Sequence, residues 1–371
     1  MQALRKVSAA SSDVAILKSR SLGIRHALAT LVGRFQATTH SVPTWLPHWL
    51  KADHLTESEV RHRLTAILTE NAAASPIKGD ADLGAARKEA AFAVIEALDK
   101  GGLLTAAHLA ARLASFDMRD AASYEIFIGL LRLANHDVLV SARKINVPYV
   151  VLHVSCAARV PRARDSVASF LPSEGVGVKG VGVGHVIVVG SKAAQCFDFD
   201  PSSAILTVPA GDSYEQLPAK VVAALTFLSL LGSVRAVLKV DDDHRLTSYA
   251  AMSKMFLRLD LEGRPAQAGE LLDVGLLGLN SRVWHFGKTT DAETSRRPFT
   301  FAGTSRYIKG SGGYFLNVTS LALMRWSYVY FTAYVESNLY EDLTVSDLIE
   351  RQGGRLMDVD MQKLLATHSA Y

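Results

Sequence analysis

Three groups of residues in this sequence are of types and spacings that could do chemistry. The first is Asp241-Asp242-Asp243-His244, which directly follows the apolar run Ala236-Val237-Leu238-Lys239-Val240. Adjacent carboxylates repel one another unless a cation sits among them. Their hard oxygens suit Mg²⁺ or Mn²⁺, which in turn suits a diphosphate; the bland alternative is a solvated acidic turn. The second group is Glu341-Asp342, in which Glu341 would raise the pKa of Asp342 by like-charge repulsion and make it a candidate general base. Acids also favour a helix N-terminus, and helical character continues from Thr344, so both roles are compatible. The third is Lys309-Gly310-Ser311-Gly312-Gly313-Tyr314, where glycine lets backbone approach a ligand closely, although tight turns use the same residues. It lacks the Gly-Lys-Ser/Thr ending of a P-loop.

The surrounding pattern predicts the elements that must hold these groups. Apolar runs of strand length occur at Tyr149-Val150-Val151-Leu152-His153-Val154, at His185-Val186-Ile187-Val188-Val189, over 204–208 and over 236–240. A glycine-rich stretch, 175–184, precedes the second run, and a helical segment, 217–231, separates the third from the fourth. Short apolar strands alternating with helices predict an α/β domain with a mainly parallel sheet covered on both faces. In such sheets ligands bind at the carboxyl ends of the strands, where the acidic triplet lies. Residues 1–147 read instead as an all-α N-terminal domain. Thr56-Glu57-Ser58-Glu59 is a capping box, a helix from about Asp82 stops at Gly101-Gly102, and further helices start at Thr105 and cover 121–134. The segment around Trp45 and Trp49 reads as a packed connector, with an exposed aromatic patch as the alternative. The domain boundary is placed at 147/148.

Composition narrows the function classes. With 371 residues, 49% hydrophobic and 20% charged, the chain has the profile of an ordinary globular protein, not a disordered one. Its two cysteines, Cys156 and Cys196, can build neither a disulfide scaffold nor a four-cysteine zinc site. A net charge of +4 is too mild to imply nucleic-acid binding. The first 50 residues carry six basic side chains and one acid, which suits a transit peptide, an anionic lipid surface or a solvated helical face. The apolar stretch 221–234 is shorter than the roughly 20 residues that cross a bilayer. These features predict a cytoplasmic protein, with peripheral association at the inner face of a membrane as a further expectation.

Four blocks then occur in order. Asp212-Ser213-Tyr214-Glu215-Gln216-Leu217-Pro218-Ala219-Lys220 is followed by Leu238-Lys239-Val240-Asp241-Asp242-Asp243. Next comes Tyr307-Ile308-Lys309-Gly310-Ser311-Gly312-Gly313-Tyr314-Phe315-Leu316, and last Tyr340-Glu341-Asp342-Leu343-Thr344-Val345-Ser346. Together they resemble the motifs of the β-1,3-galactosyltransferase and fringe family, over roughly 148–371. Gln216 stands where the family has Asn, Asn317 where it has Ser, and Ser346 where it has Gly; its cysteines are not matched.

The resemblance implies a GT-A fold, a Rossmann-like nucleotide-sugar-binding domain, and a metal-dependent inverting glycosyltransferase. The donor would be a UDP-sugar, the cofactor Mn²⁺ or Mg²⁺, and the sugar galactose, N-acetylglucosamine or a similar hexose. The acceptor would be a glycan or glycolipid, in bacterial surface polysaccharide or lipid-linked glycan synthesis. Asp243 would bind the metal directly, and Asp241 would touch the ribose or the metal's water shell. Asp242 would lie beside the nucleotide or be structural. The Asp212 to Lys220 block and His153 at the first strand's end would serve the nucleotide, with Arg159, Arg162 and Arg164 near the diphosphate. Gly312 and Gly313 would line the donor site, Asp342 with Glu341 would supply the base, and His368 or His285 would add a metal ligand. Trp326, Tyr328, Tyr330, Phe331 and Tyr334 suit either sugar stacking or core packing. Two rivals are a non-catalytic interaction protein with a degenerate transferase-like domain and a metal-dependent nucleotidyltransferase.

Overall fold

The computed structural model describes residues 134–171, 182–273, 280–301 and 306–367, with scattered positions between 89 and 132. The capping box at Thr56, the tryptophan-bearing connector, the glycine-rich stretch up to 181 and His368 lie outside the described residues. The chain falls into two compact units, Met1–His136 and Asp137–Tyr371. That division lies eleven residues before the expected 147/148. In the first unit the described positions are largely helical, and the Gly102 amide donates to the Ala97 carbonyl at 2.9 Å, as at a helix C-terminus.

The second unit opens with helix α1 (His136–Ser141) and is built on fourteen described strands and six further helices. In chain order these are β1 (Tyr149–Val154), α2 (Val160–Phe170), β2 (Val183–Gly190), β3 (Asp198–Asp200), β4 (Ile205–Val208) and α3 (Leu217–Leu230). β5 (Ala236–Asp241), β6 (His244–Leu246), α4 (Tyr249–Asp260), β7 (Ala266–Gly269), β8 (Leu271–Asp273) and β9 (Asn280–Arg282) follow. The last are β10 (Phe299–Phe301), β11 (Arg306–Ile308), β12 (Tyr314–Asn317), α5 (Val318–Tyr330), α6 (Thr332–Ser337), α7 (Glu341–Arg351), β13 (Arg355–Asp358) and β14 (Leu365–Thr367).

Eight strands form one sheet in the order β13-β7-β12-β5-β1-β2-β4-β3. β1, β2, β4 and β5 run parallel, as their continuous apolar composition predicts, and every residue of β1 is buried. β12 runs antiparallel between β5 and β7, and β3 is antiparallel to β4. Neither reversal was legible in the sequence, because β12 enters from a loop whose path depends on the sheet it joins. The β5 residues alternate between faces. Ala236, Leu238 and Val240 join Phe170 of α2 and Met252, Phe256 and Leu259 of α4 in one core. Lys239 and Asp241 point to the opposite face, where α3 and α7 pack.

α3 is almost wholly buried and needs no polar face, since α5 lies against it and the Thr226 hydroxyl is held by the Val222 and Met324 carbonyls. Asn317 caps α5, accepting from the Ser320 amide at 3.0 Å while donating to the Glu262 and Arg264 carbonyls. Ser346 accepts from the Ile308 amide and donates to Gln267. The Asn317 and Ser346 side chains thus make satisfied structural bonds. Among the described residues no helix is long and apolar enough to cross a membrane, and both cysteines are free.

Candidate functional site

The acidic triplet sits at the carboxyl end of β5, on the turn into β6. Asp241, Asp243 and His244 bring potential ligand atoms within 4.8 Å of one another. His244, however, is buried with both ring nitrogens engaged. The Asp241 amide donates to Nδ1 at 3.0 Å, and Nε2 lies 3.0 Å from the Ser311 carbonyl. This pairing requires the neutral Nε2–H tautomer and leaves no lone pair for a metal. His244 therefore fixes the turn, and the Ser166 hydroxyl, which donates to its carbonyl at 2.7 Å, fixes it from α2. The oxygen donors that remain, from Asp241 and Asp243, could hold a hard divalent cation. Arg162 of α2 meets Asp243 Oδ2 at 3.1 Å, and Lys239 meets Asp241 Oδ1 at 2.7 Å.

Asp242 turns away from this pair. It is buried and accepts from the Ser155 hydroxyl at 2.9 Å, with Arg162 Nε 3.9 Å away. Burial raises its pKa despite that bond and the nearby arginines. Of the roles left open for Asp242, the geometry selects the structural one, tying β5 to the end of β1.

Lys239 joins the two acidic motifs. It lies in the middle of the sheet, 1% exposed. Its Nζ donates to Asp241 and stands 3.4 Å from Glu341 Oε2, at the first turn of α7. Burial opposes its charge, yet Asp241 and Glu341 outweigh burial and raise its pKa, so it stays an ammonium. Asp241 is correspondingly held below the usual carboxylate range, because Lys239 overcomes the effect of its desolvation. Directly across the β5–β12 ladder from Lys239 is Tyr314, fully buried, whose hydroxyl donates to Glu341 Oε1. Burial first, then the charge of Asp342, lifts Glu341 to about 6 against the opposing pull of Lys239.

Glu341 is thus enclosed, whereas Asp342 is half-buried and lines a cleft of about 610 Å³. Its two oxygens accept from the Gly310 and Leu343 amides, both at 2.9 Å. Desolvation still raises its pKa. Of the acidic pair only Asp342 lines the cleft wall with a carboxylate not enclosed by Tyr314 and Lys239.

The glycine-rich loop meets the cleft through Lys309, Gly310 and Ser311. A Cβ on Gly310 would stand 2.9 Å from Asp342 Cβ and 3.2 Å from Glu341 Oε2, so this position excludes any side chain. Gly312 and Gly313, expected to line the donor site, do not line the cleft. Gly312 has room for a methyl group, with its nearest neighbour at 3.6 Å. Gly313 (φ 73°) turns the chain into β12 and packs against Leu365 and the Lys239 carbonyl.

Other expectations are corrected. His153 is on the α2 face of β1, since alternation places it with Tyr149 and Val151. It is fully buried, bonded to Ser166 Oγ at 3.0 Å and His185 Nδ1 at 3.3 Å, and burial drives its pKa well below the usual value. It is a neutral core residue and not a nucleotide contact. Asp212 accepts from the Ala157 and Gly190 amides and from Lys220, whose Nζ also donates to the Ser155 carbonyl at 2.6 Å. The pair knits the ends of β1 and β2 to α3 and is satisfied within the protein. His285 accepts from the Tyr340 hydroxyl at 2.6 Å and faces the Thr294 and Arg297 carbonyls, so it is no metal ligand. Arg164 is exposed on α2. None of the described side chains of the α5–α6 aromatic cluster lines the acidic cleft: Tyr328 packs on Phe197 and borders a separate cavity of about 280 Å³ against α3. The cleft's aromatic wall is instead Tyr214, Trp284, Tyr307 and Tyr340.

In the sequence, Lys239 and Tyr314 stand out only as members of motifs. An ionisable residue inside an otherwise apolar strand was the available signal, since such side chains are rarely buried without a partner. Compared with known proteins, the chain matches no protein-family model and no curated protein.

Proposed function

We propose that the second unit is a metal-dependent, inverting glycosyltransferase of the GT-A type that moves a hexose from a UDP-sugar to a glycan hydroxyl. The observation that carries this reading is the Lys239 bridge, which brings Asp241, at the end of β5, and the Glu341-Asp342 pair, at the start of α7, to one cleft. A transferase needs these two carboxylate functions together: one to hold the cation that neutralises a leaving diphosphate, the other to take the acceptor's proton. Asp241 and Asp243 would hold Mn²⁺ or Mg²⁺. Asp342, raised in pKa and open to the cleft, would accept the hydroxyl proton as that oxygen attacks the anomeric carbon. With a base and no protein nucleophile, one displacement inverts the configuration. The aromatic wall supplies apolar faces for a sugar ring.

The test is a calorimetric titration of the full chain with UDP, with and without Mn²⁺, repeated on Asp243→Ala. Metal-dependent binding that disappears in the variant is expected. Absence of binding under both conditions would transfer the weight to a non-catalytic interaction protein.

A further inference from the structure

The cleft has two electrically distinct walls. One carries Asp241, Glu341 and Asp342 around the buried Lys239. On the other, two cations lie against rings of the aromatic wall. Lys288 Nζ lies 5.7 Å from the centre of the Tyr214 ring, and the Arg282 guanidinium lies 5.0 Å from the Trp284 ring. Tyr214, Trp284 and Lys288 all line the cleft. The Arg282 charge is also felt at Tyr307 and Tyr340, which complete that wall.

Neither cation has an ion-pair partner among the described residues, and Lys288 is exposed. Among the described residues, the buried Arg282 Nε and Nη2 have no hydrogen-bond acceptor. Guanidinium donors removed from water without an acceptor are costly, so a site that retains them gains when an anion supplies the missing oxygens. The segment that carries both is held in place rather than hanging free. His285 anchors it to Tyr340 and to two carbonyls, and Glu215 accepts from the Thr290 and Asp291 amides. Lys309, also on the cleft, is by contrast already paired with Glu270 at 3.0 Å.

We propose that Lys288, on the cleft wall against Tyr214, and Arg282, against Trp284, form an anion subsite, and that the sugar bound there is an acidic pyranose carrying a carboxylate or phosphate group. The inference rests on the transferase reading for its biological meaning, but the subsite itself is independent of catalysis. The ring lies against the aromatic wall, its acidic group meets the two cations, and its hydroxyls face Asp342. Like-charge repulsion from Glu341 and Asp342 keeps the acidic group on the cationic side and so orients the ring.

The experiment titrates the full chain with sodium glucuronate, glucose 1-phosphate and glucose, followed by ligand-observed NMR at low and at 0.5 M salt. Saturable binding of one or both anionic sugars is expected, weakened at high salt, with glucose bound at least about tenfold more weakly, the loss expected for one charge-assisted hydrogen bond. Binding of glucuronate alone assigns the site to carboxylates, and of glucose 1-phosphate alone to phosphates. Lys288→Gln should weaken the anionic sugar by about tenfold and Lys288→Arg should restore it. Arg282→Gln should do the same as Lys288→Gln, and Lys288→Gln carries the test if the buried arginine proves necessary for folding. Equal binding of glucose and the anionic sugars, no binding of any, or indifference to Lys288→Gln overturns the proposal. Titration of the same samples with UDP and Mn²⁺ separates the two failures. UDP binding without anion selectivity refutes the subsite alone, and anion selectivity without UDP binding refutes the transferase reading alone.

Discussion

Replacing Lys239 by Met keeps much of the side-chain volume but removes the one cation between Asp241 and Glu341. Its Nζ is 2.7 Å from Asp241 and 3.4 Å from Glu341, and its side chain is 2% exposed, so water cannot screen the loss. Breaking a buried ion pair from one side costs about 3–5 kcal/mol, because a charge is left without compensation. Two carboxylates are orphaned here, one enclosed and one more open, so about 4 kcal/mol is expected near pH 8. The sign with pH follows from the titrating groups. Asp241 has a depressed pKa in the folded protein, so its contribution is present above the ordinary carboxylate range and depends on Lys239. Glu341, already lifted to about 6, would rise further without the ammonium. Lowering the pH to 5 protonates Glu341 in the variant and relieves much of the penalty. Urea unfolding of wild type, Lys239→Met and Lys239→Met/Glu341→Gln at pH 5 and pH 8 measures this. The single variant should lose most at pH 8, and the double variant should recover a substantial part. A loss below about 1 kcal/mol at both pH values, typical of an exposed pair, would refute the claim that Lys239 holds the two motifs together.

The remaining predictions concern the same cleft. Asp342→Asn should lower transfer by about 100-fold or more, as for loss of a general base, while UDP affinity in Mn²⁺ stays within a factor of about three; an equal loss in both would remove Asp342 from the base role. Gly310→Ala should sharply reduce activity by pushing Asp342 from a 2.9 Å contact, whereas Gly312→Ala, with 3.6 Å of clearance, should be tolerated; steady-state rates of the two variants decide it. Glu341, with a folded pKa of about 6 against an ordinary 4.5, makes wild type less stable as pH rises through that window, by about 2 kcal/mol. Denaturation midpoints measured against pH should lose that component in Glu341→Gln. Removing the Tyr340 hydroxyl as Tyr340→Phe leaves His285 without one partner and should cost about 1 kcal/mol in the same unfolding assay.

Much of the scaffold was legible in local pattern. The continuous apolar runs of β1, β2, β4 and β5 match parallel strands, with β1 and β5 buried on both faces, and the helical segment after Gln216 became α3. The site was legible where its residues are adjacent in sequence, as in the acidic triplet after β5 and the acidic pair that opens α7. It was illegible where function depended on which way a side chain faces or what a distant segment brings. His153 lies near the carboxyl end of β1, yet one residue of alternation separates a core histidine from a ligand. Gly310, Gly312 and Gly313 look alike in sequence, but only the approach of Asp342 from α7 makes the first indispensable for the cleft.

By itself, the sequence determined four of the sheet's strands and the helix after Gln216, that carboxylates crowd a strand's carboxyl end, and that a second acidic pair opens a later helix. These are consequences of local periodicity and of charge density along the chain. Only the tertiary structure decided that Lys239 serves both acidic motifs, that His244 and His285 are bonded props with no free lone pair, and that the aromatic wall comes from Tyr214, Trp284, Tyr307 and Tyr340. Those outcomes depend on strand order, on the parity of each strand's facing and on distant segments of the chain meeting across the sheet. Burial then turns such meetings into chemistry: in a low-dielectric interior, one lysine within reach of two carboxylates sets the charge of all three.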